Sequence, residues 1–415
     1  MKYAVVTFGC RVNQADSLGF EEQLLAAGAV PAATQDADLV VVNSCSVTAT
    51  ADQGARQTIR RIARDNPNAR IVVTGCYATR RPEEVVALPN VERVVLNDDK
   101  PRLIQILRDP EKTAVFFEGD GPCGATIEPG VAGRTAFTLR VQTGCAEPCS
   151  YCIIPSTRGM PRSVAMNDVL REVERVTAVG FKEIVLTGVH LGSYGRDLDP
   201  GASLIGLLRA LDFPDTRFRI SSLEPMDCSR EIVELVAASD RFAPHFHLPL
   251  QHASDRLLDA MRRPYTIGHY ASLVGDIRAR IPSASIGSDI IVGFPGETDD
   301  DFERLVNYLE RSPLTHLHVF PYSDRPGTPA SAMPGKVNGV VVRERGRQIR
   351  EIGLRLTQRF RESLVGTTHR ALTLEDGTLA VTGNYVKVRI PPGRARNEWV
   401  RVRLTSQHDG ELLRS

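Results

Sequence analysis

Nowhere does an uninterrupted apolar run in this chain approach the roughly 18 residues that cross a bilayer, so a membrane-spanning protein is not expected. The apolar stretch in MKYAVVTFGCR is too short for an export signal and reads as a strand. Without export the thiols are expected in a reducing, cytoplasmic compartment, which favours metal ligation over disulfides. Charge of one sign is also lacking: 51 Lys and Arg stand against 50 Asp and Glu, a net of +1. That balance says nothing by itself, but its distribution does. From Arg343 to the end there are 15 basic and 8 acidic residues, a net of +7, so the remainder carries −6 and the C-terminal part is the basic end. The apolar share of 42% and charged share of 24% are ordinary for a globular protein, and 415 residues can fill two or three cores.

Cysteine is scarce, yet six of the 8 present fall into two sets of three. Cys145, Cys149 and Cys152 share the stretch CAEPCSYC, and Cys10, Cys45 and Cys76 lie 35 and 31 residues apart. Four thiolates normally saturate an iron–sulfur cluster, so a trio leaves one iron open for chemistry. Zinc is the competing reading for the short motif, but it usually takes a second ligand pair, and no His or Cys follows Cys152 at close spacing.

Within the first 120 residues an apolar strand ends at a cysteine three times: YAVVTFGC, DLVVVNSC and RIVVTGC. Helical segments, expected at Ser17–Ala27 and Ala51–Arg64, separate them, which implies a parallel sheet. The carboxyl ends of such strands share one edge, so the three thiols are expected to converge there. Glu118–Arg134 reads as a linker, and Cys123 within it, like Cys228, is read as a non-ligand. From Thr135 six strands, FTLRVQTG, EIVLTGVH, RFRISSLEP, FHLPLQ, SIGSDIIVGF and HLHVFPYS, alternate with helices. Helices are expected at Asn167–Val179, Arg230–Ala238, Asp255–Met261 and Thr298–Arg311. This is the pattern of a partial α/β barrel with chemistry at the strand ends. Arg343–Leu364 reads as a helix burying Ile349, Ile352, Leu356 and Phe360, and the tail reads as a small β module. The fold class is α/β, with 1–120 an N-terminal parallel-sheet domain, 131–362 the barrel and 363–415 the all-β module.

The C-x3-C-x2-C spacing resembles the radical S-adenosylmethionine superfamily. The resemblance implies a 4Fe–4S cluster on Cys145, Cys149 and Cys152, whose open iron holds S-adenosylmethionine. It places Tyr151 near the adenine and matches GSDIIVGFPGE, with Gly293, Pro295 and Gly296, to the strand that contacts adenine through its backbone. Gly188, Glu224 and Gln251 end other strands and are expected near the cofactor, while His247 and His252 read as rim or structural histidines.

Both trios together, with the basic β tail, resemble the methylthiotransferases over essentially the whole chain. The N-terminal signature stands as GCRVNQADS, with Cys10, Asn13, Asp16 and Ser17 in place. The resemblance implies a second 4Fe–4S cluster on Cys10, Cys45 and Cys76 that carries the inserted sulfur. S-adenosylmethionine then serves as methyl donor and as radical source. No catalytic side chain beyond the cluster ligands is implied. FGCRVNQ, TGVHLGSYG and HVFPYS followed by PGTPA look most like the branch that modifies threonylcarbamoyladenosine in the tRNA anticodon stem-loop. The isopentenyladenosine branch is expected to start like YGCQMN, and the branch acting on a ribosomal-protein aspartate like LGCPKN. The tail resembles the RNA-binding TRAM module. Lys387, Arg389, Arg394, Arg396, Arg401 and Arg403 surround Tyr385 and Trp399, a composition suited to phosphate contact and base stacking. The reading from another class is a non-catalytic iron–sulfur protein that binds RNA.

Overall fold

The computed structural model describes residues 1–108, 128–130, 135–198 and 200–413. Most of the expected linker, Cys123 included, lies outside the described residues. Among those residues no helix is long and apolar enough to cross a membrane.

The N-terminal region runs β1 (Lys2–Thr7), α1 (Arg11–Ala26), β2 (Val30–Pro31), β3 (Leu39–Ser44), α2 (Ala49–Asp65), β4 (Arg70–Gly75), α3 (Cys76–Arg80), α4 (Pro82–Val86), β5 (Val91–Val95) and α5 (Leu103–Arg108). The strands form one parallel sheet in the order β2-β1-β3-β4-β5. Val40, Val41 and Val42 of β3 are fully buried, as expected of a β-branched run covered on both faces. β1, β3 and β4 are neighbours, so the strands that lead into Cys10, Cys45 and Cys76 end side by side. Helix α1 begins at Arg11, six residues earlier than expected. Asn13, Asp16 and Ser17 make its first turns look like a loop in sequence, yet all three are buried.

The central region adds β6 (Phe137–Arg140), β7 (Gln142–Thr143), α6 (Ile154–Arg158), β8 (Arg162–Ser163), α7 (Met166–Ala178), β9 (Glu183–Thr187), α8 (Leu204–Ala210), β10 (Arg217–Ile220), α9 (Arg230–Ala238), β11 (His245–His247), α10 (Asp255–Ala260), α11 (Ile267–Arg280), β12 (Ser285–Val292), α12 (Asp299–Arg311) and β13 (His316–Pro321). Parallel sheets β6-β9-β10 and β11-β12-β13 join through the bridges Phe218↔Phe242 and Ser222↔His247, giving an open six-stranded array. Period-two alternation sorts its side chains. Ile184, Leu186, Phe218, Ile220, Phe246, Ile286 and Ile290 pack outward beneath the helices. Glu183, Arg217, Arg219, His245, His247, Asp289, His316 and His318 occupy the alternate positions on the inner face. A Thr298–Asp301 capping box starts α12.

Helix α13 (Gly339–Ser363) buries Ile349, Ile352, Leu356 and Phe360. It leads into β14 (Thr368–Leu374), β15 (Leu379–Thr382), β16 (Lys387–Arg389), β17 (Trp399–Leu404) and β18 (Gly410–Leu412), an antiparallel sheet ordered β16-β15-β14-β17-β18. Val400, Val402 and Leu404 fill its core, which leaves Arg401 and Arg403 on the exposed face.

Candidate cluster and cofactor site

The first cysteine trio sits on three adjacent strand ends. Gly9 carries φ of +90°, and a Cβ there would come within 2.5 Å of Cys45 Sγ, so only glycine lets the Cys10 turn approach Cys45. Burial pushes the Cys45 thiol up to about 11, with the nearby Cys10 and Cys76 adding to the shift. Asn13 ties the loops together: its Nδ2 donates to Phe8 O at 2.8 Å and to Ser44 O at 3.0 Å. Asn43 Nδ2 donates to Ser17 Oγ at 3.0 Å. The polar residues of the GCRVNQADS signature thus hold the ends of β1 and β3 in place.

The second trio lies in an excursion between Thr143 and Arg162, clasped at its base by the β7–β8 ladder. Gly144, with φ of +75°, precedes Cys145, and a side chain there would collide with Met160 O. Burial pushes the Cys152 thiol up to about 12, with Cys149 and Cys145 adding to it. All cysteines among the described residues are free. Unbridged thiols gathered in threes form a donor set that suits iron, which takes them as thiolates. Cys228, by contrast, is packed alone among Leu223, Ile232 and other core residues.

Side chains distant in sequence reach the second trio. Arg263 Nη1 donates to Cys149 Sγ at 3.2 Å, and its Nη2 bonds Glu224. His190 Nδ1 lies 3.9 Å from Cys145 Sγ, and its Nε2 lies 2.7 Å from Asp227 Oδ2. Burial opposes a charge on His190, but the bonds to Asp227 and Cys145 prevail and raise it to about 10. Sequence reasoning missed both Arg263 and His190.

Of the residues expected near the cofactor, Tyr151 packs against Leu257, Ile291 and Phe294. Gly293, buried Pro295 and Gly296 form the turn after β12. Glu297, which was not singled out, shapes that turn: its Oε2 accepts from Gly293 N at 2.6 Å and Phe294 N at 3.2 Å, while Oε1 accepts from Arg345 Nη1 at 2.6 Å. Gly188 follows β9 against Gln142, whose Oε1 accepts from His190 N at 2.9 Å. Gln251 bridges Ile290 with a left-handed φ of +68°. Tyr151, Glu224 and the β12 turn therefore gather around the Cys149 side of the loop, with Gly188 on the Cys145 side. His247 Nε2 and His318 Nδ1 both bond Asp289 Oδ1, at 3.0 and 3.2 Å. Although the three ligand atoms lie within 4.8 Å of one another, both imidazoles already share that one oxygen. His252 is buried, and its Nδ1 accepts from Ser254 N at 3.1 Å.

The two trios are joined through α6, which starts two residues after Cys152. Arg158 at its end donates to Asn13 Oδ1 at 2.5 Å and to Asp16 Oδ2 at 3.3 Å. Asn97 Nδ2 donates to Thr157 O at 2.7 Å and lies 3.7 Å from Cys76 Sγ. A helical rise of about 1.5 Å per residue makes the four steps from Ile154 to Arg158 about 6 Å long. On the far side Arg325 pairs with Asp52 at 3.0 Å and donates to Ser46, next to Cys45. The two trios are therefore tied together through α6, with buried ion pairs on either side.

In the C-terminal sheet the Trp399 ring meets the guanidiniums of Arg217 and Arg370, at 4.9 and 3.9 Å, and its Nε1 donates to Asp215 O at 3.0 Å. It seals the join to the barrel, so the expected stacking role does not extend to it. Tyr385 stays 41% exposed. It sits where all three regions meet, accepting from Arg11 Nη2 at 3.0 Å and stacking on His245 with centroids 5.1 Å apart.

Residues 2–97 match the family described as Uncharacterized protein family UPF0004, and residues 139–309 match the Radical SAM superfamily. The chain is similar to the threonylcarbamoyladenosine tRNA methylthiotransferase MtaB of Aquifex aeolicus, at 36% identity over 94% of this chain and 96% of that protein. It is also similar to the ribosomal protein uS12 methylthiotransferase RimO of Geotalea uraniireducens, at 32% identity over 99% of this chain and 97% of the other. Among solved structures, the radical S-adenosylmethionine methyltransferase TsrM of Kitasatospora setae, with cobalamin and a 4Fe–4S cluster bound, shares the fold. The TM-score is 0.57 at 17% identity, covering 80% of this chain and 74% of that one. Similarity at this level across nearly the full length, on a chain whose two cysteine trios are tied together through α6, has one reading: this chain belongs to the radical S-adenosylmethionine methylthiotransferases, enzymes that use that cofactor and 4Fe–4S clusters.

Proposed function

We propose that this chain is a tRNA methylthiotransferase that inserts a methylthio group into threonylcarbamoyladenosine beside the anticodon. Five relatives named for that activity match at 32–36% identity, beside 33% for a relative that makes the dimethylallyl derivative, and the central barrel agrees with the first reading. The carrying observation is its inner face: Glu183, Arg217, Arg219, His245, His247, Asp289, His316 and His318 are polar or charged. Burying an isopentenyl group against them would press an apolar surface on paired charges and leave His245 Nδ1 unanswered, whereas a threonylcarbamoyl group offers hydroxyl, amide and carboxylate partners.

The work divides among 1–120, 131–362 and 363–415. Cys145, Cys149 and Cys152 would hold one 4Fe–4S cluster, and Cys10, Cys45 and Cys76 the other. With S-adenosylmethionine bound, these groups supply one-electron sulfonium cleavage, hydrogen-atom abstraction and a source of sulfur. Arg263 and His190 donate toward the ligand sulfurs, favouring thiolate charge. Tyr151 and the Gly293–Gly296 turn would hold the adenine of the cofactor. Glu297 keeps the Gly293 and Phe294 amides fixed, so Glu297→Ala is expected to weaken S-adenosylmethionine binding about tenfold, read by anaerobic calorimetry. Arg401 and Arg403 face solvent without ion pairs among the described residues, which suits tRNA phosphates. A cytoplasmic location supplies both tRNA and reduced thiols.

The test is anaerobic reaction of the reconstituted protein with two anticodon stem-loops, one bearing threonylcarbamoyladenosine and one isopentenyladenosine. Methylthio product on the first alone is expected. Product on the second alone would move the chain to the other tRNA branch.

A further inference from the structure

Most arginines near the cysteine trios and on the inner face of the barrel are matched by carboxylates. Arg140 and Arg158 pair with Asp16, Arg217 and Arg219 with Glu183, Arg263 with Glu224, and Arg325 with Asp52. Arg11 is different: among the described residues it has no ion pair, and its guanidinium donates to the Tyr385 hydroxyl at 3.0 Å. A guanidinium carries five donors, so that bond leaves most of its capacity open. Tyr385 holds it in place. The tyrosine backbone is left-handed, with φ of +68°, and its ring is braced by His245 at 5.1 Å and Arg219 at 4.3 Å.

The carboxylates nearby are already engaged, Glu183 by Arg217 and Arg219 and Asp289 by two imidazoles. His245 is 92% buried, and its Nδ1 has no hydrogen-bond partner. Burial first, then the charge of Arg219, keeps His245 neutral, and Arg11 adds to the same effect. His318, within the field of Arg11, is held toward its charged form by its bond to Asp289. The charge of Asp289 is occupied by two imidazoles. An unpaired, oriented guanidinium beside an unanswered buried ring nitrogen is a site built for an anionic group with further acceptors or donors.

We propose that Arg11, oriented by Tyr385, is the specificity-determining contact for the carboxylate of the threonylcarbamoyl group, in a subsite to which all three regions of the chain contribute. The inference rests on the proposed substrate. A phosphate of the tRNA backbone offers the same anionic chemistry, so the experiment varies the carboxylate alone.

Two anticodon stem-loops are compared, identical except that the threonyl carboxylate of one is converted to its carboxamide. Dissociation constants are measured anaerobically with the reconstituted full chain, and iron content serves as the control for intact folding. The parent protein is expected to bind the carboxylate form about tenfold or more tightly than the carboxamide. In Arg11→Gln that preference collapses toward one, and Tyr385→Phe, which frees the guanidinium, loses part of it. A preference that survives Arg11→Gln overturns the proposal, as does a parent protein with no preference. If Arg11→Gln weakens both stem-loops equally, Arg11 reads a phosphate and the carboxylate assignment falls. A parent that shows the preference but forms no methylthio product contradicts the proposed function while leaving the subsite standing.

Discussion

Replacing Cys149 with alanine is expected to reduce 5′-deoxyadenosine formation from S-adenosylmethionine to reagent background. Cys149 lies between Cys145 and Cys152 in one clasped loop, accepts a hydrogen bond from Arg263, and neighbours Tyr151, which packs on the β12 turn. A trio is the smallest set that leaves a single iron open, so loss of one thiolate removes both the cluster and the place where the cofactor would chelate. Iron per chain is expected to fall from about eight to about four, because the trio at Cys10, Cys45 and Cys76 is untouched. Cys45→Ala makes the complementary case. The same iron loss is expected there, with 5′-deoxyadenosine formation retained and methylthio product absent. Folded Cys149→Ala protein that still formed 5′-deoxyadenosine would take this loop out of the radical chemistry. Folded Cys45→Ala protein that still made methylthio product at the parent rate would end the two-cluster reading. A non-catalytic iron–sulfur RNA-binding protein would form no 5′-deoxyadenosine in any variant.

The largest effect on stability is expected from Asp16→Ala. The carboxylate is buried and meets Lys100 at 2.7 Å, Arg140 at 2.5 Å and Arg158 at 3.3 Å. Lys100 and Arg158 are themselves buried, so removing the acid strands two cations away from water. Breaking a buried pair from one side costs about 3–5 kcal/mol, and the loss is read from denaturant midpoints at unchanged slope. A change of less than about 1 kcal/mol would show that water reaches the junction and that the pair is no more than a surface bridge. The pH dependence has a definite sign. Burial alone would raise the Asp16 carboxyl, but Lys100, Arg140 and Arg158 together hold it below the ordinary carboxylate range. With the folded value below the unfolded value, the contribution is complete above about pH 4 and is lost as pH falls through the folded value. The parent should therefore lose more stability on acidification than Asp16→Ala does. Because Arg158 closes α6 and Asp16 lies on α1 behind Cys10, the same substitution is expected to loosen the register between the trios.

Much of this arrangement is written locally. Three strands that each run into a cysteine predict a parallel sheet edge, and the order β1-β3-β4 makes those ends neighbours. The helical spacing of Ile349, Ile352, Leu356 and Phe360 predicts the buried stripe of α13. The start of α1 was obscured because Asn13, Asp16 and Ser17 resemble loop residues; their partners, Arg158, Lys100 and Asn43, come from other elements. Arg263 and His190 were illegible for the same reason, since no spacing rule links either residue to a cysteine far along the chain. Trp399 read as a base-stacking aromatic, but its two arginine neighbours are set by how the C-terminal sheet docks. The polar inner face did carry a signal. His245 and His247, like His316 and His318, stand two apart in strands, which puts four imidazoles on one side of the array.

The central claim is that this chain methylthiolates threonylcarbamoyladenosine in tRNA, and mass spectrometry of nucleosides from cellular tRNA, with and without the gene, tests it most directly. Loss of methylthio-threonylcarbamoyladenosine on deletion, with its unmodified precursor accumulating, is the predicted result. Disappearance of the methylthio-isopentenyl derivative instead, or an unchanged nucleoside profile, would contradict it.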